Sequence, residues 1–194
     1  ASCIVPGPDI THFMPGKKLI MVKLIADRKT GKILGVQIVG PGKLDKRIDT
    51  MAAAMSFGVT AEQLSNLDLA YAPPFSSAMD NLIVAANVMK NTIEGMAHSI
   101  TFQEAQAKLH DDNVVFVDLR TAHERAQKAL PAEHQVHIPI EELRQRAHEL
   151  PKDKELVVFC ILSTRGFEGQ LILNQAGYDK VSFIQGGIQF WPFK

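Results

Sequence analysis

The run Leu156-Val-Val-Phe-Cys160-Ile-Leu-Ser-Thr-Arg165-Gly166 constrains this chain more than any other stretch. Four apolar residues, Leu156 to Phe159, predict a buried strand. Cys160 stands where that strand stops, and Cys160 to Arg165 make a short loop. Phe167, Leu171, Ile172 and Ala176 then recur at helical spacing, with Gly177 placed as a stop. A strand, a short loop and a helix in this order suit a parallel sheet covered by helices. The unit aims a thiol at a helix N-terminus, where free N–H groups and the helix dipole favour an anion. Cys160 reads either as a small buried residue or as a nucleophile. A free thiol, of pKa about 8.5, is only about 3% thiolate at pH 7, whereas a helix start plus an arginine can bring it to about 6.5. Arg165 and the helix start favour the nucleophile.

Loop length then selects the chemistry. One more residue between Cys160 and Arg165 would suit a tetrahedral phosphate, as in protein-tyrosine phosphatases. The six-residue loop resembles that of rhodaneses, the sulfurtransferases. Three further landmarks carry the resemblance in the family's order. Val114-Val-Phe-Val-Asp118-Leu-Arg120 is similar to its strand ending in Asp-x-Arg, Ile138-Pro-Ile-Glu-Glu-Leu143 to its Ile-Pro segment and helix, and Gly186-Gly187-Ile-Gln-Phe-Trp191 to its closing Gly-Gly-x-x-x-Trp. The resemblance implies a Cys160 persulfide, with Arg165 holding the loop or the anion. It implies a substrate pocket formed by Ile161, Leu162, Ser163, Thr164 and Gly166. Asp118 and Arg120 read two ways: a structural pair beside the next helix, or groups that orient substrate. Two departures matter. Lys128-Ala-Leu-Pro131 replaces the family's Gly-His, and Ile161, Leu162 and Ser163 fill loop positions that are often basic or glycine. A pocket with less positive charge follows, and thiosulfate is expected to be a poor donor.

The first half reads differently. Residues 1–18 hold three prolines and two glycines and are expected to be irregular, with Cys3 a bystander near a frayed end. Leu19–Ala26 and Ile33–Val39 predict a hairpin turning at Asp27–Lys32, with Gly31 available for a positive φ. Leu44, Ile48, Met51, Ala52 and Met55 predict one helix face, and Thr60-Ala-Glu-Gln63 a capping box for a second helix. Ser76 or Ser77 is expected to cap a third helix, with Met79, Leu82, Ile83, Ala86 and Met89 on its buried face.

Gly35-Val-Gln-Ile-Val-Gly40, Asp45-Lys-Arg-Ile-Asp49 and Leu69-Ala-Tyr71-Ala-Pro-Pro-Phe75 together resemble the dimerisation domain of FAD-dependent pyridine nucleotide-disulfide oxidoreductases. The most similar subgroup is that of coenzyme A-disulfide reductases, NADH oxidases and persulfide reductases, some of which carry a rhodanese domain next in the chain. No Gly-x-Gly-x-x-Gly follows a strand here. The resemblance therefore implies FAD and NAD(P)H, with coenzyme A as a carrier, for the full-length enzyme, in upstream domains. It also implies that Tyr71 reaches towards the partner subunit's flavin; the alternative is a turn tyrosine packed on the proline pair.

The totals set the remaining limits. Lys and Arg number 21, as do Asp and Glu, which leaves nucleic acid and anionic membrane as poor partners. Two cysteines make no disulfide framework and fit a reducing, cytoplasmic compartment. Seven histidines form no tight pattern with cysteine, so no metal site is expected. The chain is expected to be a fragment: an α+β dimerisation domain over residues 1–92, a linker over 93–99, and an α/β rhodanese-like domain with a parallel sheet over 100–194. The expected activity is transfer of sulfane sulfur from a persulfide, polysulfide or coenzyme A persulfide through Cys160, within a homodimer, for reduction by the flavin half. The competing expectation is a non-catalytic dimerisation and docking module.

Overall fold

A computed structural model describes residues 1–193. The chain divides into two compact units, Ala1–Met96 and Ala97–Lys194.

The first unit is built on a three-stranded antiparallel sheet of β1 (Ser2–Pro8), β2 (Leu19–Ala26) and β3 (Ile33–Val39), in the order β1-β2-β3. β1 corrects the expectation that residues 1–18 are irregular. It lies in register along β2 from Ser2 opposite Ile25 to Pro8 opposite Leu19. Pro6 and Pro8 are tolerated because β1 is an edge strand, where proline's missing N–H can face away from the ladder. Cys3 is likewise no bystander. It is 1% exposed in the core, 3.5 Å from the carbonyl oxygen of Ala85, and burial pushes its thiol up to about 12. Gly31 has φ +70 in the β2–β3 turn, where Asp27 Oδ1 accepts the N–H groups of Lys29 and Thr30.

Three helices follow: α1 (Asp45–Ser56), α2 (Ala61–Ser65) and α3 (Asn81–Ile93). The capping box expected at Thr60 and Gln63 is present. The cap of α3 is Asp80, not Ser76 or Ser77; its carboxylate accepts the Leu82 N–H, and both serines bond carbonyls instead. Met79 lies outside the helix and is exposed, while Leu82, Ala85, Ala86 and Met89 are buried. The buried face of α1 also differs from expectation. Met51 is buried, but Arg47 shares the interior and Ile48 is exposed. Hydropathy could not anticipate this, because Arg47 is buried for its bonds. Its Nε donates to Asp80 Oδ1 at 3.0 Å, Nη2 to the Asp9 carbonyl at 2.8 Å, and Nη2 pairs with Asp80 Oδ2 at 2.9 Å.

The second unit carries a five-stranded parallel sheet in the order β4-β8-β7-β5-β6. Its strands are β4 (Ser99–Ile100), β5 (Val114–Asp118), β6 (Gln135–His137), β7 (Glu155–Phe159) and β8 (Val181–Ile184). The helices are α4 (Phe102–Ala107), α5 (Ala122–Gln127), α6 (Ile140–Arg146) and α7 (Thr164–Gln175). β5 and β7 are apolar and buried on both faces, as central parallel strands require. One core cluster, including Val158, Leu143 and Leu173, lies on one side of the sheet; another, with Phe116, Phe159 and Trp191, on the other.

α7 shows where periodicity misled. Leu171, expected on the buried face, is exposed, while Gly166, Gly169, Gln170 and Leu173 are buried. A Cβ on Gly169 would stand 2.4 Å from Leu119 Cδ1, and one on Gly166 3.2 Å from Phe183 Cβ. The helix lies close against the sheet along its glycines, which carry no hydropathic signal.

Candidate active site

β7 delivers Cys160 to the C-terminal end of the sheet, in the middle of the strand order, where open α/β sheets bind ligands. The chain leaves the strand, turns at Ser163 and enters α7 at Thr164, so the loop proper is Cys160 to Ser163. Ser163 is the only non-glycine residue at positive φ (+80) among the described residues. Its hydroxyl donates to the Ile184 carbonyl at 3.4 Å and makes no capping bond. The first-turn N–H groups of α7 therefore have no side-chain cap, and they face the end of the loop that holds the thiol.

The loop is braced from behind by the turn after β8. Ile188 N–H donates to the Cys160 carbonyl at 2.9 Å and Gln189 N–H to the Ile161 carbonyl at 3.1 Å. Gly186 and Gly187 have φ +86 and +66. A Cβ on Gly187 would stand 2.2 Å from the Ile161 carbonyl oxygen, so only glycine allows this approach.

Cys160 is 2% exposed. Ile161, Leu162 and Ser163 are half-buried, Thr164 is exposed and Gly166 is buried. Arg165 stands close enough to Cys160 for the two side chains to interact electrostatically. Its guanidinium is held further into its charged form, first by Glu124 and also by the Cys160 sulfur beside it. Glu124, on α5, was not singled out from the sequence. Its Oε1 accepts from Arg165 Nη2 at 2.7 Å and its Oε2 from Nη1 at 2.8 Å. The arginine fork pulls the Glu124 carboxyl down to about 2. The only sequence signal was Thr121-Ala-His-Glu124, a capping-box pattern that the structure contains and that accounts for a glutamate without a second role.

Asp118 and Arg120 lie beneath α5, both 0% exposed. Arg120 Nε and Nη2 donate to Asp118 Oδ1 and Oδ2 at 2.8 and 2.7 Å. Arg120 Nη1 donates to the carbonyls of Lys128 at 2.6 Å and Glu124 at 3.3 Å, and its guanidinium sits 5.4 Å from the centre of the Phe159 ring. Both side chains are closed off from solvent within this network. The pair pins α5, and α5 carries Glu124. Tyr71 lies in the first unit, half-exposed at 50%, among other exposed apolar residues such as Phe75 and Met79. Among the described residues no group of three or more histidine, cysteine or acidic side chains is placed to hold a metal, and no helix is long and apolar enough to cross a membrane.

Residues 7–83 match the pyridine nucleotide-disulphide oxidoreductase dimerisation domain family and residues 101–192 the rhodanese-like domain family. A sulfurtransferase of Allochromatium vinosum is 33% identical over 97 residues, which are 50% of this chain and 89% of that protein. An NAD(P)H coenzyme A polysulfide/persulfide reductase of Pyrococcus horikoshii is 47% identical over 79 residues, 41% of this chain and 18% of that protein. The solved structure of an NAD-dependent persulfide reductase from A. fulgidus superposes over 98% of this chain and 34% of its own, with a TM-score of 0.88 and 41% identity. The chain thus spans about a fifth to a third of the length of these two reductases. It belongs to the rhodanese-like family through its second unit, joined after a pyridine nucleotide-disulphide oxidoreductase dimerisation domain.

Proposed function

We propose that Cys160 carries sulfane sulfur as a persulfide, and that this chain is the C-terminal part of an FAD- and NAD(P)H-dependent coenzyme A-disulfide or persulfide reductase. The carrying observation is the placement of the Cys160 thiol beside Arg165 and the uncapped first turn of α7. The Cys160 thiolate attacks the outer sulfur of a persulfide R–S–SH. A new S–S bond forms, the old one breaks, and R–S⁻ leaves with its electron pair, so that Cys160 becomes Cys–S–SH. The α7 N–H groups and Arg165 stabilise the anionic sulfur.

Flavin and nicotinamide are assigned to the remaining length of the whole protein, since this chain spans 18% of an NAD(P)H-dependent reductase and 34% of an NAD-dependent one. A flavin held there would supply the electrons that reduce the transferred sulfur. Tyr71, half-exposed on the first unit, is the residue of this chain that faces such a group across a homodimer. Leu34, Val39, Phe57, Phe75 and Met79 are exposed on the same unit, an amount of apolar surface that suits burial against a second copy. Two free thiols suit the cytoplasm.

Intact mass after incubation with a small organic persulfide tests the reading. A gain of one sulfur atom, absent in Cys160→Ser, is expected. No adduct on Cys160 would overturn it and leave the docking module as the better reading, whereas release of phosphate from an aryl phosphate that depends on Cys160 would overturn it in favour of a phosphatase.

A further inference from the structure

The cation in the Cys160 loop is not free. Both terminal nitrogens of Arg165 are engaged fork-to-fork by Glu124, at 2.7 and 2.8 Å. Glu124 cannot easily swing away, because its Oε2 also accepts the Thr121 N–H at 2.9 Å and hydroxyl at 3.2 Å. Arg120 holds the carbonyls at the end of α5, so the helix that presents Glu124 is itself pinned. The remaining loop side chains, Ile161 to Thr164, bring no charge. Of the other cations of this segment, Arg125 lies 3.9 Å from Asp118 Oδ2, a carboxylate that Arg120 already pairs, and Lys128 Nζ donates to the Gln189 and Trp191 carbonyls and keeps its charge. With the thiolate formed, the loop and its partner carboxylate together carry a net negative charge.

We propose that Glu124 sets the charge selectivity of the Cys160 loop: by neutralising Arg165 it admits a neutral or singly charged sulfur donor and turns away a dianionic one such as thiosulfate. The inference rests on the reading of Cys160 as the sulfur carrier. For thiosulfate the transfer is Cys–S⁻ attacking the outer sulfur, formation of Cys–S–S⁻, cleavage of the sulfur–sulfur bond, and departure of sulfite with the electron pair. The doubly charged donor must approach a thiolate whose adjacent cation is already cancelled. An organic persulfide brings at most one charge to the same point. Glu124 acts through Arg165, as a positioning and selectivity residue.

Glu124→Gln is the discriminating change. Glutamine serves the capping box as glutamate does, so a purely capping role predicts no change in donor preference. The amide removes the charge that cancels Arg165. Adduct formation on Cys160 is followed in single-turnover reactions, with thiosulfate and with an organic persulfide as donors. In Glu124→Gln the thiosulfate concentration giving half-maximal rate is expected to fall roughly tenfold at low salt, with the limiting rate little moved and the gain shrinking as salt rises. Thr121→Ala, which disturbs the cap and keeps the charge, should leave the donor ratio as in wild type. A donor ratio unchanged in Glu124→Gln, or shifted equally in Thr121→Ala, overturns the proposal. Should Glu124→Gln fail to fold, Glu124→Met removes the charge at similar volume and is judged by the same ratio. Wild type that forms no Cys160 adduct from the organic persulfide would instead defeat the sulfur-carrier reading.

Discussion

The Ile188 N–H donates to the Cys160 carbonyl at 2.9 Å, so the residue that follows the paired glycines fixes the backbone of the reactive cysteine. The contact exists because Gly187 lets the turn lie against the Ile161–Leu162 peptide.

Gly187→Ala is therefore expected to damage the loop. The added Cβ meets Ile161 backbone atoms well inside contact distance, and φ +66 strains any residue with a Cβ. Persulfide formation should fall by at least tenfold while the far-ultraviolet dichroism stays near wild type. Full transfer activity in this variant would show that the loop tolerates displacement of its brace.

Arg165→Lys is expected to slow transfer by about ten- to a hundredfold. A lysine ammonium is a point charge and cannot reproduce the planar guanidinium that stands beside the sulfur. The rate of adduct formation on Cys160 measures it, and an unchanged rate would mean that charge alone suffices.

Asp80→Ala should destabilise the first unit by about 3–5 kcal/mol, because it leaves Arg47 buried without its carboxylate. Loss of the α3 cap adds about 1 kcal/mol. Hydrogen exchange should speed up in β2 and leave β7 protected. Equal loss of protection in both strands would argue that the units unfold together.

The Glu124–Arg165 pair predicts an acid-dependent term. The folded carboxyl lies at about 2, below its ordinary 4.5. Its stabilisation is fully present above about pH 4.5 and is lost as pH falls towards 2. The pair is partly exposed, so the term is on the order of 1 kcal/mol. Urea unfolding of wild type and Glu124→Gln should differ by about that amount at pH 7, and the difference should close progressively on acidification. A gap that stays constant down to pH 3 would contradict the assignment.

The parallel sheet and its thiol loop were legible because β5 and β7 are uninterrupted apolar runs and because Cys160 and Arg165 flank a turn of fixed length. β1 was not legible, since prolines in a sequence signal breaks and only the sheet order shows that this strand is an edge. Arg47 and Glu124 were missed for a shared reason: each is defined by a partner more than thirty residues away. The buried face of α7 was misread because glycine marks close approach by what it lacks.

The sheet of the second unit pairs β4, at residues 99–100, with β8, at residues 183–184. Its first strand thus waits for its last. During synthesis β4 has no neighbour until about eighty further residues have left the ribosome, whereas β1, β2 and β3 pair with strands that are next in sequence. The first unit can assemble as it emerges. The second can pair β5 with β6 and β7 earlier, but it completes its sheet only when β8 arrives.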